Sequence, residues 1–198
     1  MTFSQARDWT AGTKVTYHVK DWFSVTGSLH ADFYDRFKRH ERIDKRQKDY
    51  ESSIYQPRLT VTSNYFNGHS LILGMEHTSD ELTSDRFSGN ANHDLKTRAL
   101  KETEYFLQDE WTINPRWMIS VGIRTNFSKA FGFMGMPKVA AKYSPDKHWS
   151  LRANYSMGYR SPSIKELFFN WDHLGMFMIR GNENMRPEKN NYFSLGAE

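Results

Sequence analysis

The feature that most restricts how this chain can fold is a two-residue alternation of apolar and polar side chains that returns along most of its length. From Trp149 to Tyr159, one set of alternate positions holds Trp149, Leu151, Ala153, Tyr155, Met157 and Tyr159, and the other holds Ser150, Arg152, Asn154, Ser156 and Gly158. Successive side chains of an extended strand point to opposite sides, so this stretch is a strand with one apolar and one polar face. The pattern recurs with Val15, Tyr17 and Val19 against Lys14, Thr16 and His18, and with Phe23, Val25, Leu29, Ala31 and Phe33 against Ser24, Thr26, Ser28, His30 and Asp32. It recurs again with Leu59, Val61 and Tyr65 against Arg58, Thr60, Thr62 and Asn64, and with Leu71, Leu73 and Met75 against Ser70, Gly74 and Glu76, where Ile72 is out of phase. Trp117, Ile119, Val121, Ile123 and Phe127 oppose Ser120, Gly122, Arg124 and Asn126, with Met118 out of phase, and Val139, Ala141 and Tyr143 oppose Lys138, Ala140 and Lys142. A period of two over such lengths fits strands, not helices. Eight strands are expected, with a ninth starting at the terminal Asn191–Glu198 stretch.

The connections alternate as well. Short links at Lys20-Asp21, Asn67-Gly68, Asn114-Pro115-Arg116 and Ser144 to Lys147 carry residues suited to tight turns. Between them lie longer polar links, at Arg36 to Lys48, Asp80 to Arg98, Lys129 to Gly135 and Arg160 to Asn190. In an up-and-down meander this order puts every tight turn at one end and every long loop at the other. Outer-membrane barrels have that asymmetry.

Composition narrows the choice of solvent for the apolar faces. Only 38% of residues are hydrophobic and the mean hydropathy is −0.76, yet 15% are aromatic. Trp22, Trp111, Trp117 and Trp149, with Phe23, Tyr65, Phe66 and Tyr143, cluster beside the short turns. Amphipathic rings gather where hydrocarbon meets water, and a girdle at the turn end follows. The polar faces carry Lys14, Arg58, Glu76, Arg124, Lys138, Lys142 and Arg152; in a barrel they line the lumen, and in a packed sandwich they face bulk water. Pro57 cannot donate to a ladder and is expected at a bulge or near the upper rim.

Several classes are excluded or disfavoured. Lys and Arg number 27 against 23 Asp and Glu, a net charge of +4 that is too small and too dispersed for a nucleic-acid partner. The absence of cysteine removes disulfide scaffolds and thiolate metal sites. No run approaches the ~20 apolar residues of a spanning helix. No Ser-His-acid or paired-carboxylate arrangement shares one polar face, so no enzymatic activity, cofactor or metal centre is expected. A passive pore or small structural barrel and a soluble carbohydrate-binding sandwich are the remaining alternatives.

Three segments resemble a known family. Gln108-Asp109-Glu110-Trp111 at a strand end, Gly158-Tyr159-Arg160-Ser161-Pro162 before a capped helix, and Gly181 to Glu188, with the pattern Gly-Asn-x-x-Met-x-Pro-Glu, are similar in order and spacing to the barrel domain of TonB-dependent outer-membrane receptors. The resemblance is clear from Tyr105 to Glu198 and rests on pattern alone before that. Ser163 and Glu166 have capping-box spacing, and Pro162 keeps the preceding backbone extended.

The resemblance implies an all-β, antiparallel, up-and-down transmembrane segment of a barrel of about 22 strands with a plugged lumen, with a short helix in one extracellular loop. It implies active import of a ferric siderophore, haem or cobalamin, driven by the TonB complex. The plug domain, a signal peptide and the C-terminal strands are expected to lie outside the chain. Lys14, Arg58, Glu76, Arg124, Lys142 and Arg152 are then candidates to hold the plug, and Tyr159, Arg160, Trp171, Asp172, His173, Phe177 and Arg180 are candidate ligand contacts. His173 is a conceivable haem ligand, although a solvated loop histidine is the simpler reading; His40 and His93 lie in long links without metal-site spacing. The Met-rich His173–Gly181 stretch suits loop packing or an adaptable apolar surface.

Overall fold

The computed structural model describes residues 2–40, 45–87, 94–173 and 175–198. In chain order the elements are β1 (Thr2–Lys20), β2 (Phe23–His40), β3 (Lys45–Ser63), β4 (His69–Ser84), a 3-10 turn (Asp85–Phe87), β5 (Lys96–Asn114), β6 (Trp117–Ser128), β7 (Gly132–Tyr143), β8 (Leu151–Arg160), α1 (Ile164–Phe168), β9 (Asn170–His173), β10 (Phe177–Arg180) and β11 (Glu188–Ala197). Strands β1 to β8 follow one another in the sheet and β11 joins the far edge of β8, giving nine antiparallel strands; β9 and β10 form a separate hairpin. The expected up-and-down meander is present.

Register confirms the two faces. Lys14, Ser28, Arg58, Glu76, Glu104 and Asn126 are successive cross-strand partners and form one row across six strands. Met118, Lys142 and Arg152 form another, and the out-of-phase Ile72 and Met118 belong to this same inner face. The outer face carries an apolar band between two aromatic belts. Trp22 packs on Tyr65 at 4.8 Å, His69 stacks on Trp111 at 5.2 Å and Trp117 stacks on Tyr143 at 4.4 Å at the turn end. Farther up, Phe33 meets Tyr55 at 5.3 Å, and Phe127 meets Tyr105 at 5.9 Å and Phe133 at 4.9 Å. From Trp117 to Phe127 the strand rises about 33 Å, and a tilt of about 45° reduces this to about 23 Å, close to the height of the apolar band of outer-membrane barrels.

The structure corrects the expected strand ends. Much of the Arg36–Lys48 and Asp80–Arg98 links is strand: β2 continues to His40, β3 begins at Lys45, β4 reaches Ser84 and β5 begins at Lys96. Above the upper belt the outer face turns ionic, with Lys48 paired to Asp35 at 2.7 Å and to Glu51 at 2.9 Å. The strand goes on after its apolar alternation stops, because hydrocarbon no longer faces it. The Lys129–Gly135 link shrinks, since β7 starts at Gly132, and β1 starts far earlier than Lys14. Trp149 and Tyr65 lie in turns, with Trp149 N–H donating to Asp146 Oδ1 at 3.2 Å. Pro57 is at neither a bulge nor the rim. It lies within β3 opposite Leu29, and the ladder to β4 lapses between Tyr55 and Arg58 without a shift of register. A missing donor is tolerated there by a skipped bond.

Arg160 to Asn190 is not a plain loop. Its helix is capped as expected, with Ser163 Oγ accepting from Glu166 N–H at 3.3 Å and Glu166 Oε2 accepting from Ser163 N–H at 2.8 Å. The segment folds onto the inner face of the wall. Ile164 and Phe169 join Tyr50, Leu82 and Phe87 in a buried cluster flanked by Tyr34, Leu100, Phe168 and Ile179. Full burial of a side chain such as Ile164 is worth about 1.5–3 kcal/mol, so this segment is anchored.

The motifs around α1 act as one latch. Arg160 reaches Glu166 at 3.0 Å and Glu188 at 3.0 Å, tying the end of β8 to α1 and to the start of β11. Asn182 N–H donates to the Glu166 carbonyl at 2.9 Å, and Gly181 N–H donates to the Phe169 carbonyl. A Cβ at Gly181 would meet the Leu167 carbonyl at 2.6 Å, so only glycine lets the segment after β10 pass so close to the helix. Arg160, with Ser163, holds the Glu166 carboxyl far below its usual 4.5, at about 2.

Two outcomes follow. Val121→Arg in the outer apolar band should lower the heat-modifiable folded fraction in the membrane far more than Arg124→Gln on the inner face, since a charge facing lipid at mid-depth costs ~2–4 kcal/mol. Equal folded fractions would contradict the assignment of faces. The depressed Glu166 value means that its contribution is present above pH 4.5 and is lost as the pH falls towards about 2. Exchange protection factors at the Leu167 and Phe169 amides should fall through that window, and Glu166→Gln should remove the dependence.

Candidate functional site

The inner face above mid-depth gathers cations and rings from several separate elements. It begins with a bulge. Between β2 and β3 the register shifts after Arg36, so Tyr50 pairs with Arg36 and Lys48 with Phe37, leaving Asp49 as the extra residue. Bulges re-aim side chains, and Asp49 is buried, accepting from Arg36 Nη2 at 2.7 Å and paired with Lys38 Nζ at 3.1 Å. Lys38 also reaches Asp85 at 3.5 Å. Ser84 Oγ donates to the Asp49 carbonyl and accepts from Arg86 N–H at 3.2 Å, which carries the order of the bulge into the 3-10 turn.

Rings interleave with these charges. Tyr34 and Tyr50 meet edge to face at 5.5 Å. Arg36 and Lys165 each lie 5.3 Å from the Tyr50 ring centre. Arg86 lies 4.1 Å from Trp171 and 5.9 Å from Phe169, and Arg98 lies 5.0 Å from Phe168. Burial and the neighbouring Arg36 pull the Arg86 guanidinium below its ordinary value. A cavity of about 340 Å³ opens here, lined by Tyr34, Arg36, Tyr50, Arg86 and Lys165, with Asp8 and Asp32 on the β1–β2 side. Such a site can take an anionic or ring-bearing small molecule in several contacts at once.

Lower on the wall, Phe106 lies over Gly74, where any side chain would collide with the ring. Arg58 and Arg124 flank Phe106 at 4.7 and 5.6 Å, and each keeps a carboxylate, Glu76 at 3.4 Å and Glu104 at 2.9 Å. These mid-lumen cations are internally balanced.

The residues expected from the sequence are placed unevenly. Trp171 belongs to the rim cluster through Arg86. Arg160 is occupied by its two carboxylates and acts as a strut. Asp172 Oδ1 accepts from Gly175 N–H at 2.9 Å and closes the β9–β10 turn. Tyr159 lies near the end of β8 opposite Lys189, and Phe177 and Arg180 are exposed on β10. The His173 backbone pairs with Phe177, whereas its side chain, like that of His40 and all of His93, lies outside the described residues. Lys14, Arg58, Glu76, Arg124, Lys142 and Arg152 fall on one face of the sheet by register. Arg36, Lys38, Arg86, Arg98 and Lys165 were not foreseen, because they lie in or beside the polar links, where no periodicity marks an inward side. Among the described residues no group of three or more His, Cys, Asp or Glu residues is placed to hold a metal ion, and no helix is long and apolar enough to cross a membrane.

Comparison with known proteins supports the architecture. The chain is 25% identical over 178 residues to the iron-regulated outer membrane virulence protein of Vibrio cholerae serotype O1, covering 86% of this chain and 25% of that protein. The fold is similar to a crystal structure of the ferric enterobactin receptor of Pseudomonas aeruginosa, with a TM-score of 0.79 and 15% identity over 97% of this chain and 32% of the receptor. It is also similar to the siderophore receptor PirA of Acinetobacter baumannii, with a TM-score of 0.77 and 11% identity over 97% of this chain and 32% of that one. The chain therefore spans about a quarter to a third of these relatives. The family model for the TonB dependent receptor-like β-barrel matches residues 1–198, and with the nine-strand wall and its paired belts it establishes that this chain belongs to the TonB-dependent receptor β-barrel family of the bacterial outer membrane.

Proposed function

We propose that this wall forms part of an active importer that takes a ferric siderophore from the extracellular side and passes it inward with energy from the TonB complex. The observation that carries this reading is the cation-and-ring cavity on the inner face above the upper aromatic belt, where a cargo arriving from outside would first meet the lumen. Iron chelates commonly present several oxygen donors, and a site with Arg36, Arg86, Lys165 and tyrosine hydroxyls matches that chemistry. The relatives named for siderophores and iron regulation give the same direction. Haem and cobalamin are the other cargoes of such receptors, and haem would call on an axial ligand such as His173.

In this reading the inner rows have a second task. Arg58 and Arg124, with Glu76 and Glu104, present satisfied ion pairs to whatever fills the lumen, while Lys14 adds a donor in the same row and Lys142 and Arg152 add donors nearer the turn end. An occluding plug of the same receptor is the natural occupant. Hydrogen bonds in such an enclosed place are strong when complete and costly when broken, which suits a plug held firmly until energy is supplied.

The test is genetic and quantitative. A strain lacking the whole gene should lose uptake of radioactive iron from ferric siderophores under iron limitation, and the intact gene should restore it. Restoration dependent on a functional TonB supports the energy source. Normal siderophore uptake in the deletion strain, with loss of growth on haem or cobalamin instead, would replace the cargo proposed.

A further inference from the structure

The rim cavity is polar in the electrical sense as well as the chemical one. Its cations are not equivalent: Arg36 and Lys38 are neutralised by the buried Asp49, whereas Arg86 forms no ion pair among the described residues, and its buried Nε has no hydrogen-bond partner. A guanidinium held between Trp171 and Phe169 is oriented by the rings yet keeps its charge. Lys165 lies on the same side, over Tyr50, on α1. Asp8 and Asp32 line the opposite, β1–β2 side, and neither is in an ion pair among the described residues. Asp85 and Asp49 lie near enough to favour the Arg86 charge without touching it, so across a small cavity the molecule sets a guanidinium with no direct ion pair against carboxylates that have none among the described residues.

From this arrangement we infer that Arg86 is the charge-selecting residue of the cavity: an oxyanion of the cargo supplies the missing partner of its guanidinium, and Asp32 on the far wall repels the same charge and so fixes which way round the cargo sits. The inference rests on the siderophore reading above and adds to it a preference for anionic over neutral iron chelates and an orientation with the oxygen-rich side towards the 3-10 turn. A guanidinium makes bidentate, charge-assisted bonds to oxyanions that a glutamine or an ammonium does not reproduce. Arg160, by contrast, is saturated by carboxylates and selects nothing.

The test uses the full-length receptor in detergent, with binding measured for a triply anionic ferric tris-catecholate and a neutral ferric tris-hydroxamate. Arg86→Gln should weaken the anionic chelate roughly tenfold or more and flatten the salt dependence of its binding, leaving the neutral chelate unchanged. Arg86→Lys should recover part of the loss, and Asp32→Asn should move the other way, tightening the anionic chelate. The opposite signs separate recognition from damage, and Asp32→Asn leaves the 3-10 turn intact should Arg86→Gln not fold. The inference is overturned by unchanged anionic affinity in Arg86→Gln, by equal loss for both chelates, or by Asp32→Asn weakening the anionic chelate. A wild-type receptor that binds only the neutral chelate overturns it and leaves the siderophore reading standing; a wild-type receptor that binds neither removes both.

Discussion

Hydrocarbon offers no hydrogen-bond partners to a backbone, and this constraint sets almost everything else in the wall. Each strand must satisfy its amides and carbonyls on both neighbours, which forces a continuous antiparallel ladder and leaves side chains as the only variable. The two-residue period is the direct result. Outward positions must tolerate lipid and inward positions need not, so Val121 and Arg124, three residues apart on β6, meet opposite solvents. Even the polar pair on the outer face obeys the rule: Asp109 is bonded to His69 Nδ1 at 2.7 Å, and His69 stacks on Trp111 in the lower belt, where the membrane gives way to water.

That constraint also marks where the sequence is informative. Trp117 to Ser128 and Gly132 to Tyr143 can be read strand by strand because lipid enforces the alternation. Above the upper belt it does not, and Asp35, Lys48 and Glu51 are as acceptable outside as in; the ladder between β2 and β3 continues there unseen by any hydropathy pattern. Helix α1 was legible for a different reason, since a capping box is a local device needing only Ser163 and Glu166. The rim site was not legible, because its members come from β2, β3, the 3-10 turn, α1 and β9, and only the fold brings them together. Trp171 was found as a ring in a long link; Arg86, its partner, offered no signal of its own.

The inner face has its own economy. A polar lumen does not forbid rings, and Phe106 shows how one is accommodated, lying over Gly74 with guanidiniums at 4.7 and 5.6 Å. Aromatic faces hold cations in place without neutralising them, while Glu76 and Glu104 do neutralise Arg58 and Arg124. Arg58 and Arg124 at mid-depth are therefore paired, whereas Arg86 at the rim has no direct ion pair among the described residues. In the function proposed above, this contrast is what separates the part of the wall that faces a plug from the cavity that takes a cargo.

The family motifs gain a physical meaning from this division. Arg160, Glu166, Gly181 and Glu188 lie at the end of β8, on α1, after β10 and at the start of β11, and together they fix α1 against the wall. Phe169 lies directly after α1 and Trp171 two residues beyond, and these are the rings that flank Arg86. A latch whose members do not line the cavity thus places Lys165, which does, and the rings that hold Arg86. Its constraint is one of position: releasing α1 would leave Arg36 and Arg86 in place but take away Lys165 and the rings that hold Arg86.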